Sequence, residues 1–445
     1  MRTLALVDGE HQPSVTRAAL DAARARGHEI VAALLVGGTE KISSVDEPPD
    51  LGVPELVVVH DAPMQALRQT IERHRPDVIL DLSDEPVLGY RERMELAAVA
   101  LVAGIPYLGA DFRLDPPPAD PPIATPTLAV IGTGKRTGKT AIAGAAARLA
   151  ARRGLDPVMV AMGRGGPPEP TVAPAGSVDL AHLLALRAAG AHAASDYLED
   201  ALTTGVTTVG ARRAGGGLAG APYVSNVREA AETAASLDPG LVILEGSGAS
   251  IPPVAWDAGI LVVPASLPPE YLGGYLGPYR LLRSDLVVVT MALGPSGPEN
   301  LSALRSLVRR YLSDASFIAT DFAPVPLEDV RGKEAFFATT ASPAVVEGLI
   351  RRLETDHGCR VVGWSARLAD RAGLAEDLEM VQGYDVLLTE LKAAAVDTGV
   401  AAAIERGAEV VFVDNRAVAT EGSVDLDTAL GDAIDLALER GGTRR

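Results

Sequence analysis

Short apolar runs alternate with amphipathic stretches along the first quarter of the chain, which is the pattern of a parallel α/β fold. The apolar runs predict strands, and the stretches between them predict helices. The predicted strands cover Thr3–Val7, Glu29–Val36, Glu55–His60, Val78–Leu82 and Ile105–Leu108. The predicted helices cover Ser14–Arg26, Pro63–His74 and Gly89–Ala103. We therefore expect an N-terminal Rossmann-like α/β domain over residues 1–114.

A proline-rich stretch interrupts this alternation and predicts a stiff linker over residues 115–126. Beyond it the α/β pattern resumes, which predicts a second domain over 127–315 and a C-terminal α/β segment over 316–445. The predicted strands are Pro157–Ala161, Thr207–Gly210, Leu241–Leu244, Gly259–Val263, Asp285–Thr290, Ala335–Thr339, Arg360–Trp364, Asp385–Thr389 and Glu409–Val413. The pattern leaves open whether the C-terminal segment is a separate domain or extends the central sheet.

The second domain opens on a glycine-rich loop with the features of a phosphate-binding site. Residues 132–140 read G-T-G-K-R-T-G-K-T, between the apolar run Leu128–Ile131 and the Ala-rich stretch Ala141–Arg152. Glycines allow backbone N–H groups to surround an anion, and the following helix adds its positive N-terminal end. The chain has 5 lysines against 35 arginines, and two of the lysines lie in this loop. A strand, glycine loop, Lys-Thr pair and helix predict a doubly wound, mostly parallel sheet of the P-loop NTPase type.

The loop sequence predicts ATP as the ligand. Lys139 is expected to reach the β- and γ-phosphates. The glycine at position 132 stands one residue earlier than in the usual pattern, and this offset resembles the loop of ATP-dependent ligases such as dethiobiotin synthetase. The expected nucleotide-binding residues are Thr133, Gly134, Lys135, Arg136, Thr137, Gly138, Lys139 and Thr140. The alternative is a glycine-rich turn that binds nothing.

A carboxylate at the end of a later strand completes a candidate Mg²⁺ site. The apolar run Leu241–Leu244 ends in Glu245, where P-loop proteins place a metal-binding acid. Together with the hydroxyl of Thr140, Glu245 predicts Mg²⁺ binding. The alternative is an ordinary acid at the surface end of a strand.

Two arginine-containing loops follow other predicted strands of the same domain. Arg164 stands among glycines, and Arg212 with Arg213 precedes a glycine-rich stretch that ends at Gly220. Guanidinium groups bind phosphates through paired hydrogen bonds, so these loops predict a second polyanionic ligand beside ATP. The alternative for each loop is a solvated surface turn.

Weaker candidates lie outside these loops. Asp8, His11 and Arg91 follow predicted strands of the first domain, where a substrate or metal site is as plausible as helix caps and turns. Lys392 follows the predicted strand Asp385–Thr389, with Asp397 within reach, so it is either a substrate contact or part of a buried ion pair.

Composition narrows the functional classes. A formal net charge of −18 argues against a general binder of nucleic acid or of anionic membranes. No apolar run reaches membrane-spanning length, no signal-peptide cleavage pattern is found, and Cys359 is the single cysteine. We therefore expect a cytoplasmic protein.

Several stretches together resemble the cyclic 2,3-diphosphoglycerate synthetase family. The matching stretches are Val7–His11, Gly132–Thr140, Val160–Pro167, Ala194–Asp200, Arg212–Gly220 and Thr389–Lys392. The resemblance spans the chain and implies that ATP and 2,3-diphosphoglycerate yield the cyclic intramolecular anhydride, ADP and phosphate.

The predicted residues suit such a reaction. The nucleophile would be a phosphate oxygen that is already ionised, so catalysis requires positioning and charge neutralisation rather than a general base. Lys139, Lys135 and Arg136 would offset the charge of the transition state, while Arg164, Arg212, Arg213, Asp8, His11, Arg91 and Lys392 are the candidate substrate contacts. A homodimer is the expected assembly.

Two other functions stay open. One is a P-loop kinase acting on a phosphoglycerate-type acid, with Asp8 or Asp84 as its base. The other is a P-loop GTPase or ATPase switch, or a metallochaperone. Against guanine selectivity, the predicted strand Asp285–Thr290 is followed by Met291, where a lysine is usual in GTPases. Against a metal carrier, the sequence lacks Cys/His clusters.

Overall fold

The computed structural model describes residues 1–38, 40–42, 48–294, 296–312, 316–422 and 424–444. Over these residues the chain separates into two units. Unit 1 comprises Met1–Pro118 together with two later segments, Pro268–Arg283 and Arg310–Leu312. Unit 2 comprises the remaining residues.

Unit 1 is built on a six-stranded sheet in the order β3-β2-β1-β4-β5-β6. Its strands are β1 (Arg2–Val7), β2 (Glu29–Leu35), β3 (Leu56–Val58), β4 (Val78–Asp81), β5 (Tyr107–Leu108) and β6 (Arg113–Leu114), and its first helices are α1 (Pro13–Ala25), α2 (Pro63–His74) and α3 (Tyr90–Val102). All neighbouring strands are parallel except β5 and β6. This strand order is the Rossmann-like arrangement expected for the N-terminal region.

Unit 2 contains a thirteen-stranded sheet among its described residues. The strands are β7 (Thr127–Gly132), β8 (Val158–Gly163), β9 (Thr171–Ala173), β10 (Thr208–Ala214), β11 (Val224–Ser225), β12 (Val242–Glu245), β13 (Ala258–Pro264), β14 (Leu286–Thr290), β15 (Ser316–Pro326), β16 (Glu334–Ala338), β17 (Arg360–Ser365), β18 (Val386–Thr389) and β19 (Glu409–Gly422). Their order is β11-β10-β8-β12-β7-β13-β14-β15-β19-β18-β16-β17, and β9 pairs with β10.

The remaining helices cover the faces of this sheet or belong to the later segments of unit 1. They are α4 (Lys139–Arg152), α5 (Leu180–Ala188), α6 (Asp196–Thr204), α7 (Val227–Ser236), α8 (Pro269–Gly273), α9 (Gly277–Leu281), α10 (Gly297–Tyr311), α11 (Pro343–His357), α12 (Arg371–Met380), α13 (Ala401–Glu405) and α14 (Leu426–Gly442), and a π-helical turn (Ala395–Val400) precedes α13. Helices α8 and α9 lie in unit 1. Ala143, Ala146, Ala147 and Ala150 of α4 are fully buried, so this face of the helix packs closely against the sheet together with α14.

The large sheet consists of two parallel blocks that run in opposite directions. Strands β10, β8, β12, β7, β13, β14 and β15 are parallel, as are β19, β18, β16 and β17, whereas β15 and β19 are antiparallel. Beyond its pairing with β14, β15 continues for residues 320–326, a length of roughly 20 Å. Strands β18, β16 and β17 join the sheet through β19, which pairs with this extension of β15. They run in the direction opposite to the first block, so the carboxyl ends of the strands in the two blocks face each other.

The predicted fold class is confirmed: unit 2 holds a doubly wound, mostly parallel sheet, and unit 1 holds a Rossmann-like sheet. The C-terminal segment continues the central sheet, a question that the sequence left open. The short strands β6, β9 and β11 were not predicted, and two larger features were missed as well. Strand β15 is missing from the prediction, and β19 extends to Gly422 where the apolar run ends near Val413. The additional part of β19, residues 414–422, carries mostly polar and small side chains, and pairing with β15 holds it extended.

Candidate active site

Glycines shape both ends of the loop between β7 and α4. Gly138 precedes α4 with φ of 89°, a left-handed conformation that favours glycine. At Gly132 a Cβ atom would lie 2.8 Å from Thr137 Oγ1 and 2.9 Å from Lys139 Cδ. The first N–H groups of α4 have no intrahelical acceptor, so the loop and the helix start form an anion-binding arrangement.

Lys139 is buried beneath this loop. Its ammonium donates hydrogen bonds to the carbonyl oxygen of Gly134 at 2.8 Å and to Thr137 Oγ1 at 3.3 Å. Burial lowers the pKa of Lys139 to about 8, an effect that Glu245 opposes and that the cations of Arg164 and Arg213 reinforce. An anion in the loop would restore the lysine's preference for the charged form.

The other charged side chains of the loop are exposed. Lys135 and Arg136 lie at the tip, and Arg136 adopts a positive φ of 60°. Thr133 Oγ1 is buried and has no hydrogen-bond partner among the described residues. The tip therefore presents two cations to a ligand, and the base of the loop holds a third.

The predicted metal ligands are adjacent. Thr140 Oγ1 donates a hydrogen bond to Glu245 Oε1 at 2.7 Å. Glu245 is buried at the end of β12, and its Oε2 has no geometrically assigned partner among the described residues. Behind it lies Asp200, which is completely buried. Burial, together with the nearby Glu245 carboxylate, raises the pKa of Asp200 well above its ordinary value.

Two of the predicted arginines converge on one glycine. Gly248 follows β12 with φ of 61°, and a Cβ atom there would lie 2.8 Å from Arg164 Nη2 and 3.1 Å from Arg213 Nη2. Arg213 is anchored by hydrogen bonds to the carbonyl oxygens of Ser247 at 2.7 Å and Gly215 at 2.9 Å. Burial and the charge of Arg164 both lower the pKa of Arg213. Like charges held together in this way favour a bound anion.

Arg212 does not share this position. It neighbours Arg213 within β10, and successive side chains of a strand point to opposite faces of the sheet. Arg212 is exposed, while Arg213 is buried. The backbone N–H of Arg212 is bound by Asn226 Oδ1 at 2.7 Å. The structure therefore brings Arg164 and Arg213 together and leaves Arg212 on the other face.

Lys392 lies in an ion-pair network at the carboxyl end of β18. Its ammonium is 3.0 Å from Glu199 Oε1, in α6, and 4.0 Å from Glu390 Oε2. The sequence suggested Asp397 as the partner, but Asp397 pairs with Arg371 at 2.7 Å, so that suggestion is wrong. The ion pair joins the two blocks of the sheet, because α6 belongs to the first block and β18 to the second.

The remaining candidates lie in unit 1. Asp8 is buried after β1, where its Oδ1 binds His11 Nδ1 at 2.8 Å and its Oδ2 accepts the backbone N–H of Asp84 at 2.6 Å. His11 Nε2 lies 3.9 Å from Asp84 Oδ2. These contacts favour a role for Asp8 in shaping the loop. Arg91 lies in the first turn of α3.

Comparison with known proteins identifies the family. Models for the N-terminal, P-loop and C-terminal domains of cyclic 2,3-diphosphoglycerate synthetase match residues 2–115, 127–320 and 326–416. The chain is 50% identical to the cyclic 2,3-diphosphoglycerate synthetase of Rubrobacter xylanophilus, over 94% of this chain and 95% of the relative. It is 41% identical to that of Methanothermobacter thermautotrophicus, over 98% and 96%.

The chain belongs to the cyclic 2,3-diphosphoglycerate synthetase family. Its P-loop domain coincides with the parallel block that carries the candidate site. Among solved structures, LpxK from Aquifex aeolicus in complex with ATP is 14% identical to this chain, with a TM-score of 0.42, and the match covers 72% of this chain and 90% of the LpxK chain.

In this member of the cyclic 2,3-diphosphoglycerate synthetase family, sequence reasoning missed two acids of the site. In the sequence, Glu199 and Asp200 stand out only as part of the matching stretch Ala194–Asp200. In the structure, Glu199 lies beside Lys392 and Asp200 beside Glu245. Two adjacent acids early in an amphipathic helix gave no sign of burial.

Over the described residues, no helix is long and apolar enough to cross a membrane.

Proposed function

We propose that this chain uses ATP to close 2,3-diphosphoglycerate into its cyclic anhydride, with release of ADP and phosphate. The observation that carries this proposal is the convergence of Arg164 and Arg213 on Gly248, in the domain whose phosphate loop buries Lys139. A substrate with two phosphates and a carboxylate would neutralise these cations. The name shared by the relatives supports the same reaction.

The proposed reaction has two displacement steps. In the first, an oxygen of one substrate phosphate attacks the γ-phosphorus of ATP, the bond to the β-phosphate oxygen breaks, and ADP leaves. In the second, an oxygen of the other substrate phosphate attacks the phosphorus of the substrate phosphate that received the γ-phosphoryl group. The bond from this phosphorus to the bridging oxygen breaks, inorganic phosphate leaves and the ring closes. Lys139, Lys135 and Arg136 offset the charge of the transferring group, while Arg164 and Arg213 hold the acid.

The residues near the loop fit a Mg²⁺ ion. Thr140 Oγ1 and Glu245 Oε1 are oxygen donors 2.7 Å apart, and Glu245 also has an oxygen without an assigned partner in the described part of the chain. No cluster of three or more His, Cys, Asp or Glu side chains with metal-binding geometry occurs among those residues. Phosphate oxygens and water would therefore supply the other ligands. Bound Mg²⁺ would offset charge on the β- and γ-phosphates.

The other substrate contacts stay predictions. They are Arg212, Asp8, His11, Arg91 and Lys392. A cytoplasmic homodimer is likewise proposed, and light scattering of the purified chain tests its assembly.

Product analysis tests the proposal. The purified chain is incubated with ATP, Mg²⁺ and 2,3-diphosphoglycerate and followed by phosphorus NMR. We expect a ring anhydride together with equal amounts of ADP and inorganic phosphate. Lys139→Ala removes the buried cation and is expected to abolish the product, whereas Lys333→Ala, at an exposed salt bridge with Glu409, leaves it unchanged. A stable phosphate ester in place of the ring would favour the kinase, and hydrolysis of ATP without an acid product would contradict both.

A further inference from the structure

A hairpin rises at the carboxyl end of β10, beside the arginines. Strand β11 returns antiparallel to β10. We call residues 214–224, which read A-G-G-G-L-A-G-A-P-Y-V, the glycine hairpin. Strands β10, β8 and β12 are parallel neighbours, so the hairpin emerges at the edge of the sheet where Arg164 and Glu245 also lie.

The hairpin packs against the loop after β12, on which the two arginines converge. The carbonyl oxygen of Gly220 accepts the N–H of Ile251 at 2.9 Å. The carbonyl oxygen of Gly215 accepts a hydrogen bond from Arg213 Nη1 at 2.9 Å, and a Cβ atom at Gly216 would lie 4.0 Å from the same nitrogen. The glycine hairpin therefore directly borders the pair of arginines.

Backbone hydrogen bonds define the shape of the hairpin. The N–H of Gly217 donates to the carbonyl oxygen of Ala221 at 2.8 Å, and the N–H of Tyr223 donates to that of Ala214 at 2.9 Å. Gly215 adopts a φ of 74°, and a Cβ atom there would lie 2.6 Å from the Cβ of Tyr223, so no larger residue fits at this bend. The exposure of the side chains at the tip thus follows from a folded turn.

The large side chains that the hairpin exposes are apolar. Leu218 is 69% exposed and Tyr223 is 90% exposed, and the hydroxyl of Tyr223 is the single polar side-chain group of residues 214–224. Turns ordinarily use Asn, Asp or Ser together with Gly and Pro. Exposed apolar area is unfavourable unless a ligand covers it. The side chain of Leu218 offers a polyanion no hydrogen bond, but beside a bound polyanion it excludes water.

We propose that the glycine hairpin covers the acid held by Arg164 and Arg213 and keeps water away from its activated phosphate. The inference rests on the proposed function, in which the acid carries the γ-phosphoryl group between the two displacement steps. Water that reached this group would attack the γ-phosphorus and break its bond to the bridging oxygen. The acid and inorganic phosphate would be released with one proton, and ATP would be consumed without forming a ring. Excluding water prevents this side reaction and strengthens the attraction between arginine and phosphate.

Product ratios test the inference. The full chain is incubated with ATP, Mg²⁺ and 2,3-diphosphoglycerate, and phosphorus NMR measures the ADP formed for each molecule of acid product, whether ring or ester. Leu218→Ser is expected to raise this ratio at least about threefold, because the shorter polar side chain admits water. Leu218→Met keeps the apolar area and should retain the wild-type ratio. Leu237→Ser, at another exposed leucine that follows α7, is the matched control and should also retain it.

Hydrolysis of ATP without the acid identifies the route of the loss. It should not change in Leu218→Ser, because the proposed side reaction passes through the phosphorylated acid. Tyr223→Ser should raise the product ratio in the same way as Leu218→Ser. An unchanged ratio in both variants would overturn the inference, and so would an equal rise of hydrolysis without the acid.

The same assay separates this inference from the proposed cyclisation. A wild-type chain that forms an ester in place of the ring would end the cyclisation proposal, while the ratio of ADP to ester would still test the hairpin. A lower molar mass of Leu218→Ser in light scattering, with an unchanged product ratio, would assign the hairpin to a contact between copies of the chain and overturn its role in covering the acid.

Discussion

Replacing Lys392 by methionine distinguishes a substrate contact from a structural ion pair. The ammonium lies 3.0 Å from Glu199, which is buried, and 4.0 Å from Glu390, whose side chain is 3% exposed. Glu390 is also bound by Thr339 Oγ1 at 2.5 Å and by Thr340 Oγ1 at 2.7 Å. Methionine keeps the length of the side chain and removes the charge, which leaves two buried carboxylates without their cation.

The structure sets the size of the effect. Breaking a fully buried pair costs about 3–5 kcal/mol, and Lys392 keeps 35% of its side-chain exposure, so we expect a loss of about 2–4 kcal/mol in the free energy of unfolding. At roughly 2 cal/mol/K of unfolding entropy per residue, a chain of 445 residues loses about 1 °C for each kcal/mol, so the midpoint of thermal unfolding should fall by roughly 2–4 °C. Lys333→Met is the matched control, because its partner Glu409 keeps 45% of its side-chain exposure where Glu199 keeps 11%, and it should cost less than about 1 kcal/mol.

The loss should depend on pH. Burial raises the pKa of Glu199, and without Lys392 the charge that opposes this rise is gone. A carboxyl group whose pKa is raised in the folded state binds more protons folded than unfolded, so it stabilises the fold at low pH and loses that contribution as the pH rises through its folded pKa. Lys392→Met should therefore be less destabilised at pH 5 than at pH 8.

Differential scanning calorimetry at the two pH values, with steady-state kinetics, measures both roles. Glu199→Gln combined with Lys392→Met should recover at least half of the lost stability, because the amide leaves no buried charge at position 199. The reasoning is refuted if Lys392→Met keeps its unfolding midpoint while KM for the diphosphorylated acid rises tenfold or more. That result would assign Lys392 to the substrate.

Three further predictions concern the phosphate loop and the arginines. Lys139→Ala should lower kcat for cyclisation at least about 100-fold with the unfolding midpoint retained, measured by phosphorus NMR against Lys333→Ala. Gly138→Ala should destabilise the fold by about 1–3 kcal/mol in denaturant titrations, because the residue is held at φ of 89° and its new Cβ would overlap the ring of Phe322. Adding Phe322→Ala to this variant should restore part of the lost stability. Full stability of Gly138→Ala alone would contradict the loop geometry. Arg213→Lys should raise KM for the acid about tenfold or more with little change in KM for ATP, because lysine cannot reproduce a paired guanidinium contact, and equal changes in both constants would argue against a substrate role.

Much of the fold could be predicted from hydrophobic pattern, because most strands are buried on both faces and therefore appear as continuous apolar runs. Strand β15 escaped prediction because it contains Asp321, two prolines and several half-buried residues. Its regularity comes from pairing with β19, a contact between segments about 100 residues apart that no local pattern encodes. The opposite direction of the two blocks depends on this pairing, so it could not be predicted from the sequence either.

The candidate site likewise contains residues that the sequence could predict and residues whose positions it could not. The phosphate loop and Glu245 could be predicted because a local motif and a strand end define them. To separate Arg212 from Arg213 it is necessary to know which face of the strand each side chain occupies. The sequence left this unresolved, because β10 runs four residues beyond the predicted strand. The partner of Lys392 required the position of α6, since Glu199 is distant in sequence.

Strand order arranges the proposed reactants in the sequence in which they must meet. Along the sheet, β10 and β8 carry the arginines, β12 carries Glu245, and β7 leads into the phosphate loop. In the proposed arrangement the acid, the metal site and the triphosphate therefore follow one another along a single edge. Phosphoryl transfer needs the attacking and leaving oxygens roughly in line across the γ-phosphorus. In the proposed arrangement the arginines lie on one side of β7, so the acid that they hold would approach the γ-phosphorus from that side, and ADP would leave on the other.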